Sequence, residues 1–133
     1  MKKTATLLFA LVLGIVLQAQ TFVGNMNIAS FGQKNITCTL TVRGQGHATL
    51  VMQRVKFAKM MPVRVDMTVS GLTAKKDAAG NLILSGTDIV PTAGSKSYPK
   101  KTITHFRGTV QGGTLSTTFT MSGKKVTYTG KQK

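Results

Sequence analysis

The sequence predicts an all-β protein, an eight-stranded antiparallel up-and-down barrel preceded by an N-terminal signal peptide. Three observations carry this. No segment after residue 20 keeps apolar residues at i, i+3, i+4 and i+7 for three turns, so no helix is expected. Threonine, valine and glycine dominate, which favours strands and turns. Turn signals recur about every ten residues, the spacing of a sandwich or barrel.

Residues 1–19 read as a leader. Lys2 and Lys3 form a charged start, Ala5 to Leu17 is an apolar run, and Gln18-Ala19-Gln20 follows. That run is shorter than the ~20 apolar residues of a membrane-spanning helix. Cleavage is expected near Ala19, leaving residues 20–133 as a secreted or periplasmic barrel domain with no transmembrane segment. The whole chain has 18 lysines and arginines against three acids, Asp66, Asp77 and Asp88. Such a balance attracts anions at long range and says nothing about fold. A lone cysteine, Cys38, precludes an internal disulfide.

The strands follow in order. The first is Phe22 to Ala29, with Phe22, Met26 and Ile28 on one face. The second, Asn35 to Arg43, alternates cleanly, Ile36, Cys38, Leu40 and Val42 opposing Thr37, Thr39, Thr41 and Arg43. In the third, His47 to Phe57, the apolar face changes between Met52 and Val55, which predicts a bulge. The fourth is Val63 to Ser70, with Val63, Val65, Met67 and Val69 aligned. Asn81 to Val90, Thr102 to Gln111, Thr114 to Ser122 and Lys125 to Thr129 complete the set. Short glycine-bearing turns make each strand pair antiparallel with its sequence neighbour. A meander of this kind closes on itself to remove its edges. The longer link Pro91 to Lys101 has the length of a lid or binding loop.

No enzyme is expected. The three acids fall in separate places, so no carboxylate pair forms. Cys38 lies on an apolar face as a small buried hydrophobe. His47 reads as a turn residue, and His105 as a structural or surface residue in mid-strand beside Ile103 and Arg107. Two distant histidines and one cysteine supply neither a nucleophile with its base nor a metal site, and no cofactor is implied. Ser122-Gly123-Lys124-Lys125 is no phosphate loop, because a strand follows where a helix is required. Nucleic acid is disfavoured, since the few aromatics alternate onto apolar faces rather than among the basic residues.

The lysines are patterned. In a meander, the odd-numbered turns share one end of the barrel. They carry Lys34, Lys56, Lys59, Lys96, Lys100, Lys101, Lys124 and Lys125, with no acid among them. These eight are the expected ligand-binding rim. Phe22, Met26, Leu40, Met52, Met67, Phe119 and Met121 are the expected interior lining.

The leader, the segment Phe22-Val23-Gly24-Asn25-Met26-Asn27-Ile28, the eight meander strands and the closing Val126-Thr127-Tyr128-Thr129-Gly130 together resemble the small secreted calycin-like barrels of Gram-negative bacteria. Gly24-Asn25-Met26 stands where lipocalins carry Gly-x-Trp, and this chain has no tryptophan. The resemblance implies an open mouth at the odd-numbered turns. The expected function is non-enzymatic binding of a small amphiphilic anion or lipid, with the lysines holding its carboxylate or phosphate. Two alternatives stand beside it. One is a basic module that docks acidic polysaccharide or a partner protein. The other, by family analogy alone, is a protease-inhibitor-like barrel.

Overall fold

Strict alternation of apolar and polar residues buries one face of a strand and wets the other, and a sheet built this way can close around its apolar side. The computed structural model describes residues 17–43, 46–56 and 63–133. The expected leader as far as residue 16, Phe57 and Lys59 lie outside the described residues.

Among the described residues there are ten strands, β1 (Leu17–Ile28), β2 (Phe31–Arg43), β3 (His47–Val55), β4 (Val65–Lys76), β5 (Leu82–Gly86), β6 (Thr92–Ala93), β7 (Lys96–Ser97), β8 (Ile103–Gln111), β9 (Thr114–Met121) and β10 (Lys124–Gln132). A single 3₁₀ turn, Pro99–Lys101, precedes β8. Eight strands form the closed antiparallel barrel in sequential order, with β5 joined to β8 and β1 pairing with β10. The other two, β6 and β7, make a small hairpin that touches β4 through Thr68 and Thr92. No helix among the described residues is long and apolar enough to cross a membrane.

The turns explain the close spacing. Gly112 and Gly113 join β8 to β9 with φ of 59° and 79°, the left-handed pair of a tight hairpin that glycine adopts without a Cβ clash. Inside, Phe22, Leu40, Leu50, Met67, Leu84, Phe119 and Val126 belong to one contiguous apolar cluster drawn from all the barrel strands. Phe106 and Phe119 stack with centroids 5.3 Å apart. Each such side chain contributes roughly 1.5–3 kcal/mol by leaving water.

Several boundaries differ from the sequence reading. β1 starts at Leu17, so its ladder with β2 spans the expected cleavage point. β4 starts at Val65 and leaves Val63 59% exposed, so Val63 is not an interior residue. It also runs on to Lys76, because Gly71 (φ 80°) absorbs an extra residue between Val69 and Leu72. β5 stops at Gly86 rather than Val90, since a Cβ at Gly86 would meet Ile89 Cδ1 at 2.7 Å and the chain turns away there. Asp88 therefore falls in the link between β5 and β8, and the odd-numbered turns are not free of acids. His47 is the first residue of β3, not a turn residue.

Candidate functional site

Four bulges set which side chains face outward. The expected one lies in β3, where the register with β4 shifts between Met52 and Val55. β2 carries another between Ile36 and Gln33, and β8 a third between Thr104 and Arg107. The fourth is the Gly71 bulge of β4. A non-glycine residue takes the left-handed conformation at each of the first three, Arg54 (φ 56°), Asn35 (φ 57°) and His105 (φ 55°).

The physical sense is the same in each case. Strict alternation from Ile36, Met52 and Ile103 would turn Lys34, Arg54 and His105 into the apolar cluster. Burying the Lys34 or Arg54 charge there costs several kcal/mol or more, and an unpaired imidazole is also costly. The extra residue shifts the phase, so Gln33, Val55 and Phe106 face inward while Lys34, Arg54 and His105 stay exposed. Ile103 and Arg107 thus lie on opposite faces, and His105 does not share one with both.

The turns that follow β1 and β9, the end of β3 at Lys56, and the link between β5 and β8 all lie at one end of the barrel. Lys34, Lys96, Lys100, Lys124 and Lys125 are exposed there, and Lys56 and Lys101 are half-buried. Two lysine pairs are drawn together. The Ser122 hydroxyl donates to the Lys100 carbonyl at 2.7 Å, which ties the β9–β10 turn to the 3₁₀ turn. The Ala29 amide donates to the Lys125 carbonyl at 2.9 Å, which ties the β1–β2 turn to the same place. Lys100, Lys101, Lys124 and Lys125 form an arc along this part of the rim. Lys96 sits apart, on the small hairpin beside β4.

Lys34 and Lys56 belong to the β2–β3–β4 corner. Gln33, only 4% exposed, holds that corner together. Its Oε1 accepts the Lys56 amide at 2.9 Å, and its Nε2 donates to the Lys56 carbonyl at 3.1 Å. The side chain thereby continues the ladder where β3 ends. Nε2 also approaches the Met26 sulfur at 3.6 Å. Arg64 Nη1 donates to Gln33 Oε1 at 3.2 Å and to the Arg54 carbonyl at 3.1 Å. The Arg54 amide donates to Asp66 Oδ1 at 2.9 Å. Around these bonds lies an open cleft of about 330 Å³, lined by Lys34, Asn35, Thr37, Gln53, Arg54 and Arg64 together with Ile36.

The seven expected lining residues, Phe22, Met26, Leu40, Met52, Met67, Phe119 and Met121, all face inward and are buried in the one cluster. Cys38 is buried among them, and desolvation pushes its thiol pKa up. Iodoacetamide at pH 8 should therefore leave native Cys38 unmodified and alkylate it once the barrel unfolds. Alkylation of the folded protein at the rate of a free thiol would contradict this burial.

Asp77 has a structural task away from the rim. Its Oδ1 accepts the Ala79 and Asn81 amides at 2.9 Å, and the bond from the Asn81 backbone is the main reason its carboxyl pKa is lowered. Among the described residues, no three His, Cys or acidic side chains gather as a metal site.

Comparison of the chain with family models, with curated proteins and with solved structures finds no match. Seven of the eight expected rim lysines fall among the described residues and lie at this end, whereas sequence reasoning missed Gln33, Arg54 and Arg64. The signal was present in part. Between Ile36 and Phe31 the apolar phase changes, as it does between Ile103 and Phe106.

Proposed function

We propose that this chain is a non-enzymatic, secreted or periplasmic barrel of the calycin-like kind that docks an acidic macromolecule, an envelope-type polysaccharide, through the basic end. The observation that supports this best is the arc of Lys100, Lys101, Lys124 and Lys125, pinned in place by the Ser122–Lys100 hydrogen bond. Two turns are fixed with their lysines at one rim, so the backbone is ordered before a polyanion arrives. The inward methionines and phenylalanines pack on one another in a single cluster, which favours docking on the rim over a lipid held in the interior. The sequential eight-stranded barrel supports the calycin-like assignment.

Retention on a heparin column tests the reading. Replacing Lys100, Lys101, Lys124 and Lys125 with Glu should lower the eluting salt far more than the same change at Lys75, Lys76, Lys131 and Lys133. If the four lysines each release counterions, wild-type affinity should fall on the order of a hundredfold between about 50 and 200 mM salt. Met52→Leu and Met67→Leu should leave retention unchanged. Equal loss from both lysine sets would show attraction by net charge alone and defeat the proposal. The amphiphile reading predicts instead a lipid that copurifies and is lost on interior substitution.

A further inference from the structure

The geometry points to a second site, the β2–β3–β4 cleft, as a binding place for a doubly charged phosphate monoester, with Arg64 as its fork. This goes beyond docking at the lysine arc and does not rest on it.

Charge is the first argument. Three cations, Lys34, Arg54 and Arg64, line the cleft, with no acid among its described lining residues. Asp66, the nearest acid along the chain, directs Oδ1 to the Arg54 amide. A single carboxylate matches one of the three charges, whereas a phosphate dianion with its several oxygens uses all of them.

The second argument is orientation. Arg64 presents five N–H donors in a planar fork. Both hydrogens of Nη1 are engaged, one by Gln33 Oε1 and one by the Arg54 carbonyl. Gln33 is itself buried and fixed by both backbone groups of Lys56. The guanidinium plane is therefore held by groups that are themselves held. None of these bonds uses the edge formed by Nε and Nη2, the edge that grips two oxygens of one phosphate. Both acceptors of Nη1 are neutral, so the charge of Arg64 is left for a ligand.

Backbone strain is the third. Asn35 and Arg54 both take left-handed φ at the bulges that flank the cleft. Glycine adopts that conformation freely, and an arginine does so rarely. Arg54 is held there by the Asp66 bond on its amide and the Arg64 bond on its carbonyl. Backbone held in a disfavoured conformation, with its side chain in a basic cleft, is the pattern expected where a side chain must be aimed.

Inorganic phosphate titrated into the purified protein, followed by two-dimensional ¹H–¹⁵N NMR, tests the assignment. The expected result is a saturable shift of the Arg64 Nε–Hε signal and of the Arg54 and Asn35 amides. Arg64→Lys keeps the charge and loses the fork, and should weaken binding about tenfold or more. Arg54→Gly should keep the fold and also weaken it. Arg107→Lys, on the exposed face of β8, should bind like wild type. Acetate at equal ionic strength should bind about tenfold more weakly than phosphate. Glucose 6-phosphate and vesicles containing phosphatidic acid then separate a soluble monoester from a lipid headgroup, and tighter binding of either supports the site and names its source. The variant with four arc lysines reversed should still bind phosphate at Arg64, so the two proposals fail separately. Unchanged affinity in Arg64→Lys, or shifts that never saturate, would overturn the assignment.

Discussion

Gly24→Ala is expected to prevent the barrel from closing. Gly24 on β1 faces Gly130 on β10 and Ile36 on β2. A methyl group at Gly24 would overlap the Thr129 carbonyl oxygen and the Gly130 Cα, and it would lie 2.6 Å from the Thr129 carbonyl carbon. These are backbone atoms, and β10 cannot retreat because β9 holds its other edge. The contact is the seam between the first and last barrel strands, so relief by local movement opens the ladder. The cost should be about 4 kcal/mol or more, against a total stability of ~5–15 kcal/mol for a domain of this size. Thermal unfolding by circular dichroism, with the yield of soluble protein, measures it. Gly32→Ala is the matched control. There the added methyl meets only the Asn27 side-chain oxygen at 2.8 Å, and that side chain can rotate away. A Gly24→Ala protein that melts like wild type would refute the close approach of β1 and β10.

Tyr128→Ala is expected to be nearly as damaging, and Tyr128→Phe to divide the effect into two parts. Tyr128 is buried on β10, and its ring covers Gly130, where an added Cβ would lie 2.8 Å from Cζ. Its hydroxyl donates to the Ile36 carbonyl on β2 at 2.9 Å, reaching past Gly24 on β1. Gly130 thus makes room for the ring, and Gly24 for the β10 backbone, while the hydroxyl links β10 to β2 across the seam. The bulge between Ile36 and Gln33 interrupts the β1–β2 ladder beside that carbonyl. Removing the whole ring should cost about 3–5 kcal/mol through the cavity and lost burial. Removing only the hydroxyl leaves the Ile36 carbonyl without its donor and should cost about 1–3 kcal/mol. Burial, and secondarily the neighbouring Cys38, raises the phenol pKa, so Tyr128 stays a neutral donor at ordinary pH. Urea unfolding of the two variants beside wild type separates the terms. Equal stability of Tyr128→Phe and wild type would show that the hydroxyl contributes nothing to the seam.

How far the residues alone could be read differs between wall and site. Ile36, Cys38, Leu40 and Val42 announce their face through simple alternation, and the seven expected lining residues all face inward. The phase change between Met52 and Val55 was enough to place a bulge. Gln33 could not be read in this way. It faces inward only because an extra residue at Lys34–Asn35 shifts the phase; the phase change between Phe31 and Ile36 marks that shift, but a polar glutamine does not itself read as an inward residue. At His105 the phase change between Ile103 and Phe106 was the only mark, since a left-handed backbone is signalled by glycine and not by histidine. The pairing of Arg64 with Gln33 joins residues 31 apart, through a contact that no local pattern encodes.

Patterning and turn chemistry act over a few residues, and they were sufficient for the all-β class, the strand order, the inward set and the end of the barrel where the lysines collect. Closure decided the rest. Bringing β1 against β10 demanded two facing glycines, with Tyr128 laid over the one on β10. Bending the wall demanded bulges, and the bulges turned Lys34 and Arg54 outward and Gln33 inward. The cleft around Arg64 is a product of that curvature, because strain and long-range hydrogen bonds exist only once the sheet has come round on itself.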